Sequence, residues 1–259
     1  MSKGILGIGC SFTWGESLYY YSDLENLPVT EYHAFDNSKV NLSMRAYKDK
    51  HRFLRMVSNH YDTWELVLSQ NGGNNQDTFI HTVWNNILHG EVDITDFKLV
   101  IWQITQWERE VGKSGICLSS HNHFLQKSGI DNSKWEEYFD WRDNLEDYEI
   151  RAQLTFIDEM CKEFEKHNIK VITIVWPEQF SNHPLYFSKF KERHVPIYYE
   201  GIEYESFDKL LYDEDNGLTI RSDFKSQGVH KNDIHFGLKG QTLLKESIIK
   251  KLEQDNFKI

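Results

Sequence analysis

Gly4-Ile5-Leu6-Gly7-Ile8-Gly9-Cys10-Ser11-Phe12-Thr13-Trp14-Gly15-Glu16 opens the chain with an apolar run that stops at a serine. The run from Gly4 to Ile8 reads as a buried strand, being short, β-branched and free of charge. Ser11 then stands where that strand ends, in a turn flanked by glycines. In open α/β sheets, ligands bind beside the carboxyl ends of the strands. A serine there can serve as a nucleophile whose own N–H helps to hold an oxyanion. It can equally serve as the N-cap of a helix, a position serine favours for local hydrogen bonding alone.

Three further runs share the strand character. Lys98 to Thr105 (KLVIWQIT) and Lys170 to Trp176 (KVITIVW) are strong, and Trp64 to Leu68 (WELVL) is weaker. Between them lie helical patterns. Tyr47 to Tyr61 places Phe53, Leu54, Val57 and Tyr61 on one side, and Asp77 to Leu88 repeats the spacing with Phe79, Ile80, Val83, Trp84 and Ile87. Tyr148 to His167 carries a stripe of Ile150, Leu154, Ile157, Met160, Cys161 and Phe164, and Leu238 to Leu252 ends the chain in the same manner. Strands alternating with helices predict an α/β fold, a three-layer sandwich with a central, mostly parallel sheet. One domain over residues 1–259 is expected. Irregular insertions are expected near 22–41, 112–141 and 177–221, where polar, aromatic-dotted sequence shows no clear period.

Composition narrows the function. With 40 acidic against 29 basic residues the formal net charge is −11, which opposes binding to nucleic acid, where affinity comes from Lys and Arg at phosphates. The 8 Trp, 13 Tyr and 16 Phe argue for a packed core. Cys10, Cys117 and Cys161 are scattered, so neither a disulfide framework nor a zinc knuckle is expected. His121 and His123 have no acid or cysteine to complete a metal set. No window approaches the roughly 20 apolar residues of a membrane helix, and the first residues lack the pattern of a signal peptide. A soluble, cytoplasmic protein without membrane partners is the expectation.

A serine nucleophile needs a base and a group to orient it. Asn232-Asp233-Ile234-His235-Phe236-Gly237 supplies both just before the last helix, with His235 as base and Asp233 as orienting acid. Asn71-Gly72-Gly73-Asn74-Asn75 follows the Trp64 to Leu68 strand, where a glycine N–H can point into a site. At the end of KLVIWQIT stand Thr105 and Gln106, beside Trp107 and Arg109. Each segment alone also reads as an ordinary turn or cap.

Together, and in this order, they resemble the SGNH (GDSL-type) hydrolase family, in the branch whose first block reads GxSFTxG. GCSFTWG, residues 9–15, matches that block, NGGNN resembles the second and NDIHFGLKGQ the last. The resemblance spans nearly the whole chain and implies a flavodoxin-like architecture and a serine esterase. Ser11 would be nucleophile, His235 base and Asp233 the orienting acid. Ser11, Gly73 (or Gly72) and Thr105 would form the oxyanion hole. The substrate would be a small-molecule or carbohydrate ester, O-acetyl groups on a sugar among them, with water or an acceptor hydroxyl completing the turnover and no cofactor required.

Two departures stand out. The family's third block offers an asparagine as oxyanion donor, and here Thr105 or Gln106 has to replace it. The family's acid lies three residues before the histidine, where this chain has Asn232, so Asp233 must serve from two before. They motivate a second expectation, a binding module that keeps the fold with impaired chemistry.

Overall fold

Four strands lie side by side in the computed structural model, which describes residues 3–15, 18–21, 42–69, 73–107, 110–111, 117–118, 145–211, 217–223 and 234–259. They are β1 (Gly4–Gly9), β2 (Glu65–Ser69), β3 (Phe97–Ile104) and, after the short antiparallel pair β4 (Glu110–Val111) and β5 (Cys117–Leu118), β6 (Lys170–Val175). The sheet order is β2-β1-β3-β6 and every pair is parallel. A segment beyond β6 continues the pairing: Thr173 N–H donates to the Arg193 carbonyl, and Val195 N–H to the Thr173 carbonyl.

The period of two along each strand sorts side chains onto two cores. Ile5, Leu99, Ile101, Ile172 and Ile174 face one core, which also holds Leu54 and Val57 of α3 (Phe53–His60). Leu6, Ile8, Val100, Trp102 and Val171 face the other, with Phe79 and Val83 from the helical stretch after β2. Because both faces are covered, the strands read as continuous apolar runs without polar alternation. The result is the three-layer α/β sandwich expected. Leu54 is fully buried, and truncating such a leucine to alanine costs about 2–5 kcal/mol.

Helix boundaries depart from the periodic pattern for identifiable reasons. The stretch expected as one helix over Tyr47 to Tyr61 is split into α2 (Leu42–His51) and α3 by Arg52, whose backbone is extended at φ −69, ψ 145. Arg52 turns its guanidinium to Glu65 at 2.8 Å and Asp49 at 2.9 Å, and the freed Phe53 N–H donates to Gln241 Oε1 at 2.8 Å. After β2 the chain is helical from Asn75 to Leu88. It runs through α4 (Asn75–Thr78) and α5 (Asn85–Leu88), with a π-helical turn over Phe79–Trp84 between them. There the Thr82 hydroxyl donates to the Thr78 carbonyl at 2.6 Å, an acceptor that α-helical backbone would otherwise use.

The long helix α6 (Glu146–Lys166) starts with Glu146, Asp147 and Glu149 and ends on Lys166, which suits the helix dipole at both ends. Asn168, at φ 59, turns the chain out of it toward β6. Residues 177–211, expected as irregular, form α7 (Glu178–Asn182), α8 (Pro184–Phe190), a hairpin of β7 (Ile197–Tyr199) and β8 (Ile202–Tyr204), and α9 (Phe207–Leu211). The hairpin turns on Glu200 and Gly201, both with positive φ, the geometry that matches strand twist. Asp158 of α6 fastens this region through ion pairs of 2.7 Å to Lys189 and 2.8 Å to Arg193. The short α10 (Ile220–Asp223) and the terminal α11 (Leu238–Gln254) complete the described chain, and α11 packs Leu244, Ile248 and Leu252 on the same core as α3. The expected insertion at 22–41 lies outside the described residues, as does that at 112–141 except for β5.

Candidate active site

Ser11 begins the four-residue helix α1 (Ser11–Trp14) directly beyond β1. Cys10 precedes it with extended backbone, and Gly15 ends it at φ 79, a left-handed turn that glycine adopts without strain. The Gly15 N–H donates to the Phe12 carbonyl at 3.2 Å, closing the turn. As the first residue of a helix, Ser11 keeps an N–H with no intrahelical acceptor. Ser11 is 6% exposed, so its hydroxyl lies in a sheltered site.

His235 arrives from the far end of the sequence. Residues 218–220 pair antiparallel with 235–237: Ile220 N–H donates to the His235 carbonyl at 2.9 Å, and Gly237 N–H to the Leu218 carbonyl at 2.8 Å. The imidazole lies against the Phe12 ring, centroids 4.6 Å apart, and Phe12 itself packs among Trp176, Phe207 and Phe236. This placement brings His235 Nε2 to 2.7 Å from Ser11 Oγ, across 224 residues of sequence. With the proton on Nδ1, the serine hydroxyl donates to Nε2, the arrangement general-base catalysis requires.

A second link ties the two segments together. Tyr21, in the 3-10 turn Leu18–Tyr21 that follows α1, donates its hydroxyl to Asp223 Oδ2 at the end of α10. Burial first, then this hydrogen bond to the Asp223 carboxylate, raises the phenol above its ordinary pKa and keeps it protonated.

The other expected residues divide. Gly73 is buried and follows β2 at the same end of the sheet, immediately before Asn74, whose Oδ1 accepts the Asp77 N–H at 2.8 Å and caps α4. Thr105 is buried at the carboxyl end of β3, but its backbone N–H donates to Asn75 Oδ1 at 2.8 Å. Asp233, Asn232 and Gly72 lie outside the described residues, as do Arg109, His121 and His123. Trp102 and Trp107 are core residues, Trp102 stacked on Phe79. Lys48 Nζ sits 3.2 Å above the centroid of the Trp14 ring.

Of two buried amides beside this site, the sequence motif includes Asn75 and passes over Gln153. Asn75 donates through Nδ2 to the Thr105 carbonyl at 3.1 Å and to Gln153 Oε1 at 2.8 Å, and Gln153 in turn donates to the Trp107 carbonyl at 3.0 Å. They hold the chain as it leaves β3. The available signal is the polar residue in an apolar pattern: Gln153 sits between Ile150 and Leu154 on the buried stripe of α6. Among the described residues, no three His, Cys, Asp or Glu gather as metal ligands would, and no helix is long and apolar enough to cross a membrane. Compared with known proteins, the chain matches no family model and no curated protein.

Proposed function

We propose that this chain is a serine esterase of the SGNH type, acting on acyl esters. The observation that carries the reading is the 2.7 Å contact between Ser11 Oγ and His235 Nε2 at the carboxyl ends of a parallel sheet. As Oγ bonds to the ester carbonyl carbon, its proton passes to Nε2 and the carbonyl oxygen takes the negative charge. The N–H groups of Ser11 and Gly73 and the hydroxyl of Thr105 are the donors assigned to that oxyanion. The imidazolium then returns its proton to the departing alkoxide as the carbon–oxygen bond breaks. Water, or an acceptor hydroxyl, attacks the acyl-enzyme with His235 again as base, and Ser11 is restored. Asp233 is assigned to Nδ1, where a carboxylate fixes the tautomer that leaves Nε2 as acceptor. Acetyl esters of carbohydrates are the first substrates to try.

The test is Ser11→Ala. Hydrolysis of p-nitrophenyl acetate and labelling by a fluorophosphonate should both be abolished with the fold intact by circular dichroism. Turnover that survives the substitution rejects the mechanism. Threonine at 105 in place of the family's asparagine, and the acid at 233 in place of 232, support the alternative, a binding module of the same fold with impaired chemistry. Freshly folded wild-type protein that takes up no fluorophosphonate would favour that alternative.

A further inference from the structure

A helix of one turn forms too few hydrogen bonds to hold itself, because ordering its backbone costs more than those bonds return. The helix bearing Ser11 is of this kind, and its N-cap residue Cys10 makes no side-chain cap. Something outside α1 must hold it. The candidate is Gln103, a polar side chain within β3, one of the most apolar strands of the sheet.

Gln103 is 1% exposed and lies on the same face as Leu99 and Ile101, toward α1. Its Oε1 accepts the Thr13 hydroxyl at 2.5 Å, and its Nε2 lies 3.4 Å from the Cys10 sulfur. One amide thus engages the residue before Ser11 and the residue two after it. Gly9 completes the unit. A Cβ at that position would collide with Thr13 Oγ1 and stand 2.9 Å from Gln103 Cβ, so the glycine leaves the space the hydroxyl and the amide occupy. An unpaired amide here would be unfavourable by about 1–3 kcal/mol, so an apolar residue would suit the strand better if packing were the only demand.

We propose that Gln103 is a positioning residue for the nucleophile: its buried amide clamps Cys10 and Thr13, and so sets where Ser11 Oγ stands relative to His235 Nε2. Gln103 acts through those two residues. The inference rests on the serine-esterase reading for its kinetic consequence, whereas the clamp itself can be tested without it.

The experiment compares wild type with Gln103→Met, Thr13→Val, the double variant and Thr13→Ser. Three readouts are used: crystal structures, the rate of fluorophosphonate labelling, and kcat and KM on p-nitrophenyl acetate. In Gln103→Met and in Thr13→Val, Ser11 Oγ should leave hydrogen-bond reach of Nε2. A displacement near 1 Å should lower labelling rate and kcat by about 10–100-fold with KM changed less than about twofold. The double variant should lose no more than the worse single variant, and Thr13→Ser should retain the wild-type rate. Ser11 Oγ still bonded to Nε2 in both single variants overturns the proposal, as does a lowered melting temperature with kcat unchanged. Should Gln103→Met fail to fold, the near-isosteric Thr13→Val carries the same test. Wild-type protein that neither labels nor hydrolyses would sink the esterase reading alone, and the crystallographic distances would still decide the clamp.

Discussion

Side chains fasten the turn that carries Ser11, whereas main chain fastens the loop that carries His235. On the Ser11 side, Gln103 reaches from β3 to Thr13 and Cys10, and Gly9 makes room for the contact. On the His235 side, the bonds Ile220 N–H to His235 carbonyl and Gly237 N–H to Leu218 carbonyl hold residues 235–237 through main chain. Phe12, adjoining Ser11, packs against the imidazole. The difference teaches where sequence identity matters. A fixture made of side chains demands particular residues at particular spacings, as at Gly9, Ser11 and Thr13. A fixture made of backbone leaves only its functional group visible.

The largest expected effect comes from removing that group. His235→Ala should lower kcat/KM on p-nitrophenyl acetate by about 10⁴-fold or more, since the nucleophile then has no base. Adding Ser11→Ala to it should cost almost nothing further, because the two residues act as one unit. Additive losses in this cycle would mean that the 2.7 Å contact is not a catalytic one.

The same contrast explains what could be read in advance. The parallel sheet was legible because its strands, buried on both faces, are short β-branched runs. The meeting of Ser11 with His235 was legible because each sits in a compact local motif. The break at Arg52 was not, since the Phe53 N–H finds its acceptor on Gln241, 188 positions away. Nor was the structure of residues 178–211, whose helices and hairpin are too short to establish a period. Gln103 reads from sequence as one more residue of a buried strand, because its partners lie 90 and 93 positions away. Thr105 reads as a polar side chain at the end of a strand, and the Asn75 amide that takes up its N–H reads as part of a glycine-asparagine turn. Local chemistry was visible, and long-range satisfaction of polar groups was not.

A change remote from both fixtures sharpens the comparison by separating stability from positioning. Asp158 is buried, which alone would raise its pKa, yet hydrogen bonds from Lys162, Lys189 and Arg193 outweigh that and hold it down to about 2. Its folded pKa lies below the ordinary 3.8, so the stability it contributes is present above pH 3.8 and is lost as pH falls toward 2. At about 1.4 kcal/mol per pKa unit, Asp158→Asn should destabilise the protein by about 2 kcal/mol at pH 7, read as a lower urea midpoint. The variant should also lose part of the acid sensitivity between pH 4 and 2. Turnover at 25 °C should be unchanged. A parallel fall in kcat would mean that the active site answers to global stability and not to its own clamps.

The smallest effect tests a second side-chain bond that spans both regions, beside that of Ser11 to His235. Tyr21 follows the helix that bears Ser11 and donates to Asp223, which precedes His235 in the chain, and both pack against Gly237 at the start of α11. Tyr21→Phe keeps the ring and removes only the hydroxyl. Since a hydrogen bond to a charged acceptor contributes about 1.5–3 kcal/mol, stability should fall by about 1.5 kcal/mol. If main-chain pairing is what fixes His235, kcat should drop by less than about fivefold, because the bonds through Ile220 and Gly237 remain. A loss as large as that expected for Gln103→Met would show that the His235 side is held by side chains as well, and the contrast between the two fixtures would dissolve.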